Sequence, residues 1–128
     1  LEADYTALYE ALEAARLRYR IIAGELAAVG IDVDCMPLLD VPAPGAHGVI
    51  GERALGREAE AVARRGRAVC EGLRAGGVLP VIKHMPGHGR AMRDSHHALP
   101  RVDASLEGLR GSEQADGCGL LRPGWADD

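Results

Sequence analysis

Two short apolar runs, each followed by a stretch rich in Gly and Pro, constrain the fold of this chain most strongly. "IDVDCMPLLDV" spans residues 31–41 and "VLPVIKH" spans residues 78–84. Both runs are short and rich in branched apolar side chains. Such runs are typical of strands that are covered on both faces, as in a parallel sheet.

Helical patterns precede and separate the two predicted strands. An apolar stripe predicts a helix over residues 4–29, with Gly30 where a C-terminal cap belongs. A second stripe predicts a helix over residues 57–75, which ends at Gly76 and Gly77. Because strands that alternate with helices form βαβ units, the sequence predicts an α/β fold with a parallel sheet. The stripe residues are Leu8, Leu12, Ala15, Tyr19, Ile22, Leu26 and Val29 in the first helix, and Ala59, Val62, Gly66, Val69 and Leu73 in the second.

The C-terminal part of the chain carries weaker signals. Asp103 is a candidate N-cap for a short helix over "ASLEGL". From residue 111 onward no period is recognisable, and Gly is frequent. We therefore expect residues 111–128 to form a poorly structured tail.

Composition narrows the classes of protein to which the chain can belong. Its 128 residues, 47% of them hydrophobic, suffice for one modest domain with a core. The net charge of −4, with both signs interspersed, argues against a nucleic-acid-binding surface, which is usually basic. No apolar run approaches the roughly 20 residues that a membrane helix needs, so we expect no membrane partner. The three cysteines are odd in number and lack metal-type spacing, which indicates free thiols in a reducing cytoplasm.

A loop rich in histidine follows the second predicted strand. "VIKHMPGHGRAMRDSHHALP", residues 81–100, holds four of the five histidines of the chain. In parallel α/β sheets the polar chemistry lies beyond the carboxyl ends of the strands. Lys83 and His84 occupy that position after the second strand, and Asp40 occupies it after the first. The sequence thus predicts a functional site at this edge of the sheet.

Three interpretations of the loop compete. His84 and His88 have the spacing of zinc ligands, but the intervening Pro86 and Gly87 exclude a shared helical face, so we predict no metal ion. A solvated polar loop without a function is the second interpretation. The third is acid–base catalysis, since Asp94 and His96 are two residues apart, and a carboxylate can orient an imidazole and stabilise its protonated form.

The loop also resembles a known family. "KHMPGHG" followed by "DSHHALP" is similar to the signature of the β-N-acetylhexosaminidases of glycoside hydrolase family 3, and "GIDVDCMPLLDV" and "VIGERALG" occur upstream in the family's order. The similarity extends over residues 10–110 or so. Because the family fold is a TIM barrel, the resemblance implies a partial (β/α)8 barrel of two to three βα units over residues 1–110. Residues 111–128 are then an aberrant tail.

The resemblance implies roles for individual residues. His96 matches the general acid/base and Asp94 its partner, on a mobile loop that closes over the sugar. Arg53, Lys83 and His84 match positions that bind a terminal N-acetylglucosamine. His88 matches a histidine to which we assign a structural role in preference to substrate contact. Support or surface roles are expected for His97, Asp34 and Asp40.

The implied reaction is retaining hydrolysis through a covalent glycosyl-enzyme, without a cofactor. The family's bacterial members trim N-acetylglucosamine from anhydro-muropeptides during cytoplasmic peptidoglycan recycling, so the implied partner is a small carbohydrate. The resemblance does not predict an oligomeric state.

The sequence departs from the family at the nucleophile. The family's nucleophilic aspartate lies in an "SDD"-like motif, and no such motif occurs in these 128 residues. An acidic sugar-binding residue expected before position 1 is also missing. We therefore expect a truncated enzyme that is inactive in isolation. The alternative is a non-catalytic α/β remnant that binds sugar weakly or serves a structural or interaction role.

Overall fold

The computed structural model describes residues 2–85, 87–105 and 107. Its elements follow the predicted α/β order. In chain order they are helix α1 (Glu2–Ala28), strand β1 (Val33–Asp34), a 3-10 turn (Gly51–Arg53), helix α2 (Ala59–Ala75) and strand β2 (Leu79–Pro80). Three of the six residues of the helix predicted over "ASLEGL", and all of the predicted tail, lie outside the described residues.

Both long helices lie within two residues of their predicted bounds. α1 is followed by Gly30 with a φ of 83°, and α2 by Gly77 with a φ of 88°. This left-handed conformation suits glycine, which has no Cβ to clash, and it commonly ends a helix. Within the described part of the chain, neither helix combines the length and apolar character needed to cross a membrane.

The strands are much shorter than the apolar runs that predicted them. β1 and β2 are parallel, with Val33 beside Leu79 and Asp34 beside Pro80. Proline lacks the N–H that a sheet ladder requires, so Pro37 and Pro80 limit the pairing of both runs. A separate parallel bridge joins Leu38 to Lys83. The parallel pairing is thus confirmed, whereas the predicted strand lengths are wrong.

The chain divides into two compact units, which we describe separately. The first contains the described residues of Leu1–Pro37 and Arg64–Ile82, and the second contains those of Leu38–Ala63 and Lys83–Asp128. The core of the first unit is formed by Ala23, Val69, Leu73 and Val78, with Tyr19, Leu26 and Met36 packed against it.

Two glycines of the first unit allow a close approach of the chain to α1. A Cβ at Gly72 would lie 2.3 Å from the carbonyl oxygen of Arg16, and one at Gly76 would lie 2.4 Å from the Cβ of Ala23. Real Cβ atoms essentially never come this close to another heavy atom. Glycine is therefore needed at both positions.

One face of the β1–β2 pair is exposed, contrary to the prediction that both faces of the strands are covered. Val33 and Leu79 lie opposite each other and are 45% and 60% exposed. Ile31 and Val81, two residues away along each chain, are 42% and 41% exposed. Since side chains alternate between the faces of a strand, these four form one apolar row on the same face.

The second unit buries a smaller apolar set and one charged side chain. Leu38, Leu39, Ile50, Val62 and Ala91 are buried. Asp40, which follows Leu39, is 1% exposed, and it is the one charged residue that is buried in the described part of the chain.

Candidate active site

The pairing of the chain around Leu38 and Lys83 brings together residues that are far apart in sequence. Leu38 forms a parallel bridge with Lys83, and the N–H of Leu39 donates to the carbonyl oxygen of Lys83 at 2.7 Å. Asp40, which directly follows Leu39, and His84, which directly follows Lys83, are thereby brought within side-chain contact. Both are polar residues at positions where the sequence predicted chemistry.

Asp40 and His84 form a pair in which one partner, Asp40, is buried. Oδ2 of Asp40 lies 2.6 Å from Nδ1 of His84, and Oδ1 accepts the backbone N–H of His88 at 2.5 Å. The Asp40 side chain is fully buried, while that of His84 is 41% exposed. Burial of a carboxylate is costly unless its oxygens are hydrogen-bonded. Here each of the two oxygens has a partner, so the carboxylate can remain in the interior.

His88 lies next to this pair. Its ring centroid is 6.1 Å from that of His84, with the rings tilted by 55°. Its Nε2 is buried, with no hydrogen-bond partner among residues 2–85, 87–105 and 107. A buried ring nitrogen of this kind indicates a packed position, although the structural role expected for His88 stays a prediction.

Asp94 and His96 form a second pair. Oδ1 of Asp94 accepts the backbone N–H of His96 at 2.9 Å and lies 2.6 Å from Nδ1 of the same residue. The carbonyl oxygen of Asp94 also accepts the N–H groups of His97 and Ala98, both at 3.1 Å. A tight turn thus folds the imidazole back onto the carboxylate. The Asp-X-His spacing predicted this contact.

Exposure and charge suit this pair for proton transfer to a ligand. The His96 side chain is 77% exposed, whereas that of Asp94 is 20% exposed. The hydrogen bond from the His96 backbone, followed by that from its side chain, lowers the pKa of Asp94. Asp94 therefore stays ionised in the pH range in which a histidine titrates.

The other predicted sugar-binding residues are not joined to either pair. Arg53 lies exposed at the end of the 3-10 turn, where its Nη2 donates to the carbonyl oxygen of Val49 at 2.5 Å. Lys83 is half-buried. In the part of the chain that the structure describes, no hydrogen bond or ion pair links the Arg53 or Lys83 side chain to an Asp–His pair. An open groove of about 590 Å³ lies along residues 42–57, but neither pair lines it.

Besides its position at a strand end, Lys83 carries a second signal in the sequence. Lys83 is the single lysine among the 15 Lys and Arg residues of the chain. Arginine and lysine differ in geometry and hydration, so a lone lysine among arginines is a sequence signal for position 83.

The first part of the histidine loop is anchored. Gly89 accepts the N–H of Ala43 at 2.9 Å, and Ala91 accepts the N–H of His47 at 2.8 Å. Beyond Ala91 the side chains of Met92 and Arg93 are exposed. These two bonds hold the backbone at Gly89 and Ala91, and the mobile lid expected of this loop stays a prediction.

Within the described residues, no cluster of three or more His, Cys, Asp or Glu side chains is arranged to hold a metal ion. Of the three cysteines, Cys35 is an exposed free thiol and Cys70 a buried one. Cys118 lies outside the described residues.

Known proteins are similar to this chain in sequence. Residues 7–115 match the Glycosyl hydrolase family 3 N terminal domain. A β-hexosaminidase of Methylococcus capsulatus is 40% identical over 111 residues, which cover 87% of this chain and 33% of the relative. The chain thus spans about a third of the length of that relative.

Solved structures agree with the sequence relatives. NagZ from Neisseria gonorrhoeae in complex with N-trifluoroacetyl-D-glucosamine superposes with a TM-score of 0.85 at 40% identity, covering 94% of this chain and 35% of NagZ. The same protein in complex with a zinc ion gives a TM-score of 0.83 at 39% identity, with the same coverage.

Proposed function

The chain belongs to glycoside hydrolase family 3, and on this premise we propose that it supplies the acid/base pair and part of the sugar site of a retaining β-N-acetylhexosaminidase. The observation that carries the proposal is the contact between Asp94 and Nδ1 of His96, which leaves most of the imidazole exposed. A histidine held in this way has one nitrogen fixed by the carboxylate and the other available to a ligand.

In the proposed reaction His96 acts twice. As a general acid it protonates the glycosidic oxygen while a carboxylate attacks the anomeric carbon, and the bond to the leaving group breaks. As a general base it then takes a proton from the water that hydrolyses the glycosyl-enzyme. Asp94 holds the ring and stabilises its charged form, for which its lowered pKa keeps it ionised.

Arg53, Lys83 and His84 bind the sugar in this proposal. The ammonium of Lys83 and the imidazole of His84 suit hydroxyl and carbonyl oxygens of a terminal N-acetylglucosamine. The complex of the Neisseria relative with N-trifluoroacetyl-D-glucosamine supports a ligand of this class. Anhydro-muropeptides of cytoplasmic peptidoglycan recycling are the proposed physiological substrate.

The fold of the first unit fits a segment of a larger barrel. We propose that residues 1–110 form two to three βα units of a TIM barrel, followed by an aberrant tail over residues 111–128. The exposed apolar row of Ile31, Val33, Leu79 and Val81 supports this. In a closed barrel the inward-facing strand residues are large and branched, and further strands bury them.

A hybrid enzyme tests the proposal. Residues 7–115 of this chain would replace the matching segment of the Neisseria gonorrhoeae relative, which supplies the remaining residues, the nucleophile included. We expect the hybrid to hydrolyse an aryl N-acetyl-β-glucosaminide. Asp94→Asn and His96→Ala should each lower turnover, whereas His97→Ala, a change at an exposed neighbouring histidine, should not. A folded hybrid whose turnover is unaffected by either change in the pair would refute the proposal.

Because these 128 residues lack an "SDD"-like motif, we propose that the isolated polypeptide is inactive, and inactivity is also what the alternative of a non-catalytic α/β remnant predicts. Retaining hydrolysis needs a second carboxylate about 5 Å from the acid/base. The purified 128-residue polypeptide should therefore not turn over the aryl glycoside above the level of its His96→Ala variant.

A further inference from the structure

Asp40 and His84 form an Asp–His pair that the reaction proposed above does not use. No more than a support or surface role was expected for Asp40, yet this residue is 1% exposed. A carboxylate at this depth is costly to bury, and a structural hydrogen bond to one backbone N–H would occupy only one of its oxygens. The second oxygen contacts a side chain that we assign to sugar binding.

We propose that Asp40 is the positioning residue for His84: its Oδ2 holds a proton on Nδ1 and fixes the ring, so that Nε2 is the nitrogen offered to the sugar. The proposal rests on the sugar-binding role of His84. Its geometric basis is the distance of 2.6 Å between Oδ2 and Nδ1, and the 41% exposure of the His84 side chain. Nε2 is on the side of the ring opposite the carboxylate.

The second contact of Asp40 restricts how the carboxylate can turn. Oδ1 accepts the backbone N–H of His88 at 2.5 Å, so the two oxygens are not interchangeable without loss of one bond. The carboxylate thereby ties His84 to His88 across "HMPGH". One buried group thus fixes both the His84 ring and the backbone N–H of His88.

The arrangement also determines which ring nitrogen of His84 carries a proton. An ionised carboxylate can only accept hydrogen bonds, so Nδ1 of His84 must be the donor whether the ring is neutral or charged. In a neutral ring Nε2 is then an acceptor, suited to a sugar hydroxyl. Partners of this kind commonly set the tautomer of a functional histidine.

Substitution of Asp40 by asparagine changes which ring nitrogen of His84 can carry the proton, while it leaves the packing nearly unchanged. Asparagine has nearly the same shape but one oxygen and one NH₂ group. If its oxygen keeps the bond from the His88 N–H, its NH₂ group faces Nδ1 of His84 and can only donate. The proton of His84 must then move to Nε2, as in a serine-protease triad whose aspartate is replaced by asparagine.

Nitrogen-15 NMR of the 128-residue chain, with labelled histidine, measures directly which ring nitrogen of His84 carries the proton. At about pH 8.5, two units above the ordinary histidine pKa, we expect Nδ1 of His84 to be protonated in the wild type. In Asp40→Asn the proton should move to Nε2. Asp34→Asn, the same change at a half-buried aspartate of β1, should leave His84 unchanged.

Two results would overturn the proposal. One is a wild-type His84 whose Nδ1 carries no proton, which decides the matter even if Asp40→Asn fails to fold. The other is a folded Asp40→Asn chain in which Nδ1 stays protonated. Because this readout does not depend on turnover, it is independent of the hybrid-enzyme assay. An inactive hybrid with the expected proton shift would count against the proposed function alone.

Discussion

Oδ2 of Asp40 lies 2.6 Å from Nδ1 of His84, although 44 positions separate the two residues in the sequence. The parallel bridge between Leu38 and Lys83 brings Asp40 and His84 together. Asp40 lies two residues after Leu38, and His84 directly follows Lys83. The pair shows how backbone pairing in an α/β chain gathers polar side chains from separate segments.

The close contact at Gly72 predicts opposite effects of two glycine-to-alanine changes. Gly72→Ala places a Cβ 2.3 Å from the Arg16 carbonyl oxygen and should destabilise the chain by about 1–3 kcal/mol, the usual cost of overpacking. Gly24→Ala adds a Cβ with nothing within 4 Å inside helix α1. It should stabilise the chain by about 0.5–1 kcal/mol. Urea unfolding of the two variants measures both, and a shift in the same direction for both would contradict this packing.

The two described cysteines should react at very different rates. Burial raises the pKa of Cys70 to about 11, so at about pH 8 it is neither accessible nor ionised. Cys35 is exposed. In a Cys118→Ser background, a thiol reagent should modify Cys35 rapidly and Cys70 only after denaturant is added. Equal rates in the native chain would contradict the burial of Cys70 in helix α2.

The lowered pKa of Asp94 predicts the pH range in which the Asp94–His96 pair stabilises the chain. Because the pKa is lowered from its ordinary 3.8, the pair contributes stability above that pH and loses it as the pH falls through the folded-state pKa. Carbon-13 NMR of the carboxyl group should give a midpoint below 3.8. His96→Ala should raise the midpoint only partly, since the His96 backbone N–H remains, and His97→Ala should change it little. A wild-type midpoint at or above 3.8 would contradict the contacts of Asp94.

The single lysine offers a test of sugar binding. In the hybrid enzyme, Lys83→Ala should weaken binding of the aryl N-acetyl-β-glucosaminide and raise KM, with or without a fall in kcat. Lys83→Arg keeps the charge but not the compact ammonium, so it should restore only part of the loss. A Lys83→Ala hybrid with both KM and kcat unchanged would remove Lys83 from the sugar site.

The sequence predicted the helices and the Asp94–His96 contact because both depend on local spacing. Helical period sets which residues of α2 are buried, and Asp-X-His needs only one turn. At the end of α1 the helical period predicted burial less well, since Val29 belongs to the apolar stripe but is 75% exposed.

Features that depend on pairing between distant segments were not predictable from local patterns. The lengths of β1 and β2 depend on which backbone groups find partners, and the apolar runs overestimated both. Asp40 was recognised as a strand-end residue, but its partner depends on the register of Leu38 with Lys83. The available signal in the sequence was an aspartate after one predicted strand and a histidine after the next.

The central claim is that His96, held by Asp94, transfers the proton to the leaving group. Its most direct test compares substrates in the hybrid enzyme before and after His96→Ala. With a poor leaving group, which needs protonation, kcat/KM should fall by about 10²- to 10⁴-fold. With an activated aryl leaving group the loss should be much smaller, and His97→Ala should affect neither substrate. Equal losses on both substrates after His96→Ala would contradict the role of His96 as the general acid.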